Sequence, residues 1–249
     1  MIHSFLLIGQ SNMAGRGFAN QVEPIENKHI KVLRNGRWQD MYVPVNCDRP
    51  FSGVSLAESF ADAYQKDHNV EVGLIPAADG GTNLDQWKVG GLLYDHAIYQ
   101  ARLAQRTSTI AGVLWHQGET ECLDSNKYLR YEEKFTVIMN QLRKDLNLND
   151  VPFLLGGIGE FLVLNGEKCD NYIHVNKALS SIANKNPMTG YVSSSGLKAN
   201  PDNLHFCSQA LREFGIRYYN EFKKHEDKNK IFEEKPMEDV AIRSEMELL

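Results

Sequence analysis

Short apolar runs alternate along the chain with stretches in which apolar residues recur every three or four positions. That alternation is the mark of a parallel sheet covered by helices. The runs Ser4–Ile8, Val70–Pro76, Ile110–Trp115, Pro152–Gly156 and Gly190–Ser193 predict five strands. Leu56, Phe60, Ala63 and Tyr64 share a helical face ahead of the second run, and Tyr94, Ile98, Ala101, Leu103 and Ala104 share one ahead of the third. Both read as crossover helices. From about Asn126 to Leu146, Tyr128, Tyr131, Phe135, Ile138, Leu142 and Leu146 line one face opposite a charged one, which predicts a single amphipathic helix. Between His29 and Tyr42, two strand-like pieces flank Asn35-Gly36, a dipeptide suited to the positive φ angles of a tight hairpin turn, and predict an excursion at the edge of the sheet. No repeat and no Pro- or Gly-rich linker interrupts the pattern. The expectation is one domain over residues 1–222, a three-layer α/β/α sandwich around a central, mainly parallel five-stranded sheet.

After Phe222 the apolar spacing stops, and Lys223, Lys224, Glu226, Asp227, Lys228, Lys230, Glu233, Glu234 and Lys235 crowd together. Such a segment buries little, so residues 223–249 read as a solvated helix end and a charged tail. The alternative use of the tail is docking of a partner through Ile231-Phe232 or Met246 to Leu249.

Composition narrows the function. The 249 residues are 42% hydrophobic and 24% charged, ordinary for a globular chain. Lys and Arg number 27 against 32 Asp and Glu, a net charge of −5, so no global basic field exists to hold nucleic acid or an anionic membrane. No apolar run approaches the roughly 20 residues that cross a bilayer. Cys47, Cys122, Cys169 and Cys207 are widely spaced without a CxxC pair, and the first residues lack the pattern of a secretory leader. Reduced thiols and a cytoplasmic location are the expectation.

Ligands of open parallel sheets gather beyond the carboxyl ends of the strands. Four polar clusters fall at that predicted edge: Gly9-Gln10-Ser11-Asn12-Met13, Asp79-Gly80-Gly81-Thr82-Asn83, His116-Gln117-Gly118-Glu119 and Asp202-Asn203-Leu204-His205. Three residues in a turn or helix bring the Asp202 carboxylate to the His205 ring, which leaves Nε2 free to take a proton from a hydroxyl such as that of Ser11. Taken singly, each has a plainer use. Ser11 suits a turn, Asp202 after Asn200-Pro201 suits a helix cap, and Gly80-Gly81 suits a tight turn. An acyl-transfer site also needs donors for an oxyanion, and a glycine N–H from Gly80 or Gly81 together with the Gln117 amide would supply them. His116 lacks ligands at zinc spacing and reads as a hydrogen-bond partner within the protein. Trp87, Trp115, Tyr94 and Phe18 fit either a core or the stacking of sugar rings.

In order and spacing, the blocks Gly9-Gln10-Ser11-Asn12-Met13, Gly80-Gly81-Thr82-Asn83-Leu84, Trp115-His116-Gln117-Gly118-Glu119 and Asp202-Asn203-Leu204-His205 resemble the SGNH hydrolases. Within that superfamily, which shares a flavodoxin-like sandwich, they are most similar to carbohydrate esterase family 6, the relatives of sialic acid O-acetylesterases and acetyl xylan esterases. The resemblance implies a serine esterase that removes acetyl groups from sugar hydroxyls without a metal or other cofactor, its partner a small acetylated carbohydrate. It implies Ser11 as nucleophile, His205 as base and Asp202 as the residue that orients it. The oxyanion hole would be the Ser11 N–H, the Gly81 N–H in preference to Gly80, and the Gln117 side chain. Gln10, Asn12, Asn83 and Glu119 would bind substrate. Gln10 and Gln117 stand where the wider superfamily has Asp and Asn, and Glu121 where many relatives have Asp. A lipid or thioester hydrolase of the same fold, or a carbohydrate-binding protein without turnover, are the alternatives; the second would be marked by loss of Ser11 or His205, and both are present.

Overall fold

The computed structural model describes residues 1–165 and 169–226. In chain order the elements are β1 (Ile2–Gly9), α1 (Ser11–Ala14), β2 (Ile30–Arg34), β3 (Arg37–Asp40), α2 (Ala57–His68), β4 (Glu71–Pro76), α3 (Leu92–Gln105), β5 (Ser108–His116), α4 (Ser125–Tyr128), α5 (Tyr131–Leu146), β6 (Phe153–Gly156), α6 (Tyr172–Lys185), β7 (Thr189–Val192) and α7 (Ser208–Lys223). The strands form one sheet in the order β3-β2-β4-β1-β5-β6-β7, and every neighbouring pair is parallel except β2 with β3.

The sheet has seven strands where the apolar runs predict five. The added pair is the hairpin at Asn35-Gly36, both at positive φ, which bonds into the sheet as its edge because β2 aligns parallel to β4 from Ile30 to Val32. A half-exposed hairpin gives a weak apolar signal, and only Ile30, Val32 and Leu33 of it are buried.

Side chains alternate across the sheet with the period of two that a strand imposes. Leu6 and Ile8 of β1 join the cluster beneath α3, α5 and α6, while Phe5 and Leu7 face α2 and α7. The three layers follow from this alternation. In β5 the register against β1 slips by one residue between Ser4 and Phe5, and Gly112 there lets the Phe5 ring approach to about the distance a Cβ would occupy.

The long helix expected from about Asn126 to Leu146 is two helices. Asp124 caps the first through the Asn126 N–H, and the chain breaks at Leu129-Arg130. Tyr128 stacks on His174 of α6 at the margin of the same core cluster in which Tyr131 is fully buried. The helix α7 packs Leu211, Phe214, Tyr218 and Phe222 against α2 and the sheet. Beyond it, Glu226 pairs with His68 at 2.8 Å, so the described start of the charged segment returns to α2. Residues 227–249, with both apolar footholds of the tail, lie outside the described residues.

His3 on β1 is buried and its Nδ1 lies 2.7 Å from the Tyr64 hydroxyl. Burial, followed by the charges of His68 and the N-terminus, pushes its pKa down to about 4. The folded state therefore holds this ring neutral where an unfolded chain protonates it. Its contribution is complete above about pH 6.5 and is lost as the pH falls toward about 4. Urea midpoints measured at pH 7.5 and 4.5 should drop less in His3→Gln than in the wild type.

Candidate active site

β1 lies between β4 and β5, where successive connections leave in opposite directions, and a crevice opens beyond such a point. The turn from β1 into α1 is held against β5: the Gln10 N–H donates to the His116 carbonyl at 2.8 Å. A Cβ on Gly9, at φ +130, would lie 2.1 Å from that carbonyl oxygen, so only glycine fits there. This turn delivers Ser11 at the carboxyl edge of the sheet.

His205 arrives from the far side of β7 on a loop closed by the Ala199–Phe206 bridge and by the Asn200 N–H to the His205 carbonyl at 2.7 Å. Its Nε2 lies 3.0 Å from Ser11 Oγ and its Nδ1 2.7 Å from Asp202 Oδ2. Asp202 is not the cap of a helix, since α7 begins only at Ser208. Its second oxygen does the work of a turn cap instead, accepting the Leu204 and His205 N–H groups at 2.9 and 3.0 Å. One carboxylate thus shapes the turn and orients the ring. Burial opposes its charge, but these N–H groups and the imidazole prevail and hold the Asp202 carboxyl below the usual range.

The glycine pair is resolved by a residue far away in sequence. Gly80 N–H donates to Asp48 Oδ2 at 2.9 Å, whereas neither the Gly81 nor the Ser11 N–H has a partner among the described residues. Gly80 also sits where a side chain cannot: a Cβ would fall 2.4 Å from the Arg16 guanidinium and 2.9 Å from Asp48, with Ser11 Cβ at 3.5 Å. Gly81 is exposed, at φ +76.

Gln117 departs from its expected place. It is fully buried, and its two amide protons go to the Thr82 carbonyl at 3.1 Å and to the Glu121 carboxylate, while Tyr131 Oη donates toward its Oε1. No donor is left over for a substrate oxygen; the side chain fixes the 80–82 turn from behind. Glu121 also accepts the Leu84 N–H at 2.7 Å, and burial raises its carboxyl above the usual range. Of the four expected substrate-binding residues, Asn12 and Glu119 are likewise turned inward, and Gln10 is buried with its Oε1 engaged. Gln10 accepts the Gly118 N–H, Asn12 joins Glu119 to the His205 loop, and Glu119 meets both Asn12 and His116. Only Asn83 remains at the rim, half-buried, with its Oδ1 holding the Asp85 and Gln86 N–H groups. Trp87, Trp115 and Tyr94 are core residues, and Phe18 alone of the candidate stacking rings is exposed.

Two residues escaped the reading of motifs. Arg16 and Asp48 form a bidentate pair at 3.1 and 2.6 Å with both side chains about 95% buried, beneath the Gly80 turn. Arg49 reinforces it from the rim through the Asp79 carboxylate and the Gly80 carbonyl. Neither position belongs to a strand-end block, and only the folded contact reveals them. Among the described residues no three His, Cys, Asp or Glu side chains are grouped so as to hold a metal ion.

Residues 1–224 match the family described as carbohydrate esterase, sialic acid-specific acetylesterase. The chain belongs to this family. Its similarity to a probable carbohydrate esterase of Arabidopsis thaliana is 28% identity over 234 residues, 85% of this chain and 86% of the relative. A solved structure of an Arabidopsis thaliana protein superposes with a TM-score of 0.80 at 28% identity, covering 89% of this chain and 98% of the other. NanS, at 17% identity, has a TM-score of 0.71 over 91% of this chain and 98% of its own. A carbohydrate acetylesterase from Xanthomonas citri has a TM-score of 0.67 at 18% identity over 87% of this chain and 54% of its own. The last two share the fold of this carbohydrate esterase.

Removal of one partner from a buried ion pair leaves the other charge stranded. Arg16→Met should therefore destabilise the protein by about 3–5 kcal/mol, read from urea denaturation at pH 7.5. Asp48→Asn, which leaves the buried Arg16 charge without its carboxylate, should destabilise it to a comparable degree.

Proposed function

We propose that this carbohydrate esterase removes acetyl groups from sugar hydroxyls through an acyl-enzyme formed on Ser11. The unbroken chain Ser11 Oγ to His205 Nε2 and His205 Nδ1 to Asp202 Oδ2 carries the reading. In this mechanism Nε2 takes the hydroxyl proton as Oγ attacks the acetyl carbonyl. Asp202 holds the ring with its Nδ1 proton inward and stabilises the positive charge that develops. The tetrahedral oxyanion lies against the Ser11 and Gly81 N–H groups, both without a partner among the described residues. The proton on Nε2 then passes to the departing sugar oxygen. Water repeats the sequence on the acetyl-serine and releases acetate, so a proton leaves and returns at the same nitrogen.

Membership of the family supports an acetylated sugar of the sialic acid type as substrate, and the motif resemblance adds the xylan type. With the Gln117 amide engaged elsewhere, the oxyanion hole relies on the backbone of the nucleophile and of the glycine turn. The rate then depends strongly on how well the 80–82 turn is held.

Hydrolysis of 4-nitrophenyl acetate tests this. Ser11→Ala should lose at least about 10³-fold in kcat. Asp202→Asn should lose about 10²- to 10⁴-fold, because the imidazole adopts the wrong tautomer. Activity of the wild type should fall with lengthening acyl chain and on acidification. Asp202, held ionised, stays charged through mildly acidic pH, so the acid-side loss does not arise from protonation of Asp202. Equal turnover by wild type and Ser11→Ala would remove Ser11 from the mechanism.

A further inference from the structure

Behind Ser11 runs a set of buried polar groups for which the esterolytic steps have no use. Asn12 follows Ser11 and is 1% exposed. Its Oδ1 accepts the Phe206 N–H at 3.0 Å and its Nδ2 donates to the Leu204 carbonyl at 3.3 Å, so one amide grips the backbone on both sides of His205. The 3.0 Å contact between Ser11 and His205 joins segments 194 positions apart in sequence, and this grip ties one directly to the other.

An asparagine amide can be turned over, and in the reversed sense it would place a donor against the Phe206 N–H. Glu119 adds the shortest of the contacts that oppose the reversal. Its Oε1 accepts from Asn12 Nδ2 at 2.5 Å, and an ionised carboxylate accepts only. Glu119 is itself fixed by His116, whose Nε2 lies 3.0 Å from the same oxygen. The His116 ring is fully buried and packs edge-on against Phe206 and Phe214, with ring centroids 5.7 and 5.6 Å apart. Burial opposes the charge on Glu119, yet His116 and Asn12 outweigh it and hold the carboxyl below the usual range.

We propose that Glu119, braced by His116, is a positioning residue that acts through Asn12 to set the His205 loop in register with Ser11. The proposal rests on Ser11 and His205 being the nucleophile and its base. Glu119 touches neither substrate nor reacting atoms. Its loss should lower turnover without altering how the ester is bound, because misplacement of a base by a fraction of an ångström acts on the chemical step.

The test uses the full chain, with kcat and KM for 4-nitrophenyl acetate and a urea titration of every variant to establish that it is folded. Glu119→Met, matched in volume but without an acceptor, and Asn12→Ala should each reduce kcat about 10²-fold with KM unchanged within about twofold. Glu119→Gln, whose Oε1 can accept the same hydrogen bond, should recover kcat to within about fivefold of the wild type. The combination Asn12→Ala with Glu119→Met should be no slower than Asn12→Ala alone, because the second residue acts only through the first. Losses that multiply, a Glu119→Met enzyme at wild-type kcat, or a Glu119→Gln enzyme as slow as Glu119→Met would overturn the proposal. If Glu119→Met does not fold, the Gln variant and Asn12→Ala decide: a slow Glu119→Gln or a fast Asn12→Ala is equally fatal. Ser11→Ala separates the two levels. Wild-type turnover by that variant sinks the nucleophile assignment and the positioning role together, whereas an inert Ser11→Ala beside a fast Glu119→Met sinks the positioning role alone.

Discussion

The strand β1 is hydrogen-bonded on both sides, to β4 from Ile2 to Leu7 and to β5 from Ile2 to Gly9, and nearly every feature of the site is referred to that ladder. It fixes the height at which Ser11 leaves the sheet. Because β4 and β5 run parallel to β1, their exits stand beside it: the Gly80-Gly81 turn on one flank and His116-Gln117 on the other. The Gln10 N–H bond to the His116 carbonyl extends the ladder one step beyond the strand, over a glycine with no room for a side chain. Without that close approach, Ser11, the glycine turn and the β5 exit would lack a common frame.

Around this frame the protein buries an uncommon amount of charge. Arg16 with Asp48 sits under the Gly80 turn, Glu119 with His116 sits under Asn12, and Glu58 with Arg212 joins α2 to α7. Glu58 is the extreme case. Burial pushes its carboxyl up to about 7 in spite of Arg212 at 2.6 Å and the Ser55 N–H. Buried pairs contribute little net stability, but they tolerate only one arrangement of the segments they join. Arg16 with Asp48 joins two segments that carry the site and Glu119 with His116 holds Asn12 beside it, so precision at Ser11, Gly80 and His205 comes at the cost of desolvated charge.

The economy of Asp202 belongs to the same logic. A carboxylate with two oxygens caps its own turn with one and holds His205 with the other. The readings of Asp202 as a cap and as an orienting acid are therefore not rivals. The turn it shapes places the ring it orients, and a side chain 47% exposed suffices because both tasks are local.

Much of this was legible in the residues. Apolar runs with turn residues at their ends located five of the six parallel strands within two residues or so, since burial on both faces leaves a continuous signal. The Asp202-x-x-His205 spacing is short enough for local geometry to join carboxylate and ring. The edge strands were fainter because half of their side chains face water, and α6 and α7 were left unread although Leu211, Phe214, Tyr218 and Phe222 keep helical spacing. The direction of polar side chains at the strand ends lay beyond sequence altogether. Gln10, Asn12, Gln117 and Glu119 have the chemistry of substrate contacts, yet their partners stand up to 194 positions away and face inward. The sequence by itself determined which strands exist, which edge gathers the polar blocks, and the pairing of Asp202 with His205. Tertiary structure alone decided that Asp48 occupies the Gly80 N–H and leaves that of Gly81 free, that Gln117 braces the turn, and that Asn12 clasps the loop of His205. Each of those depends on a hydrogen bond between distant segments, whose geometry exists only after the sheet has brought them together.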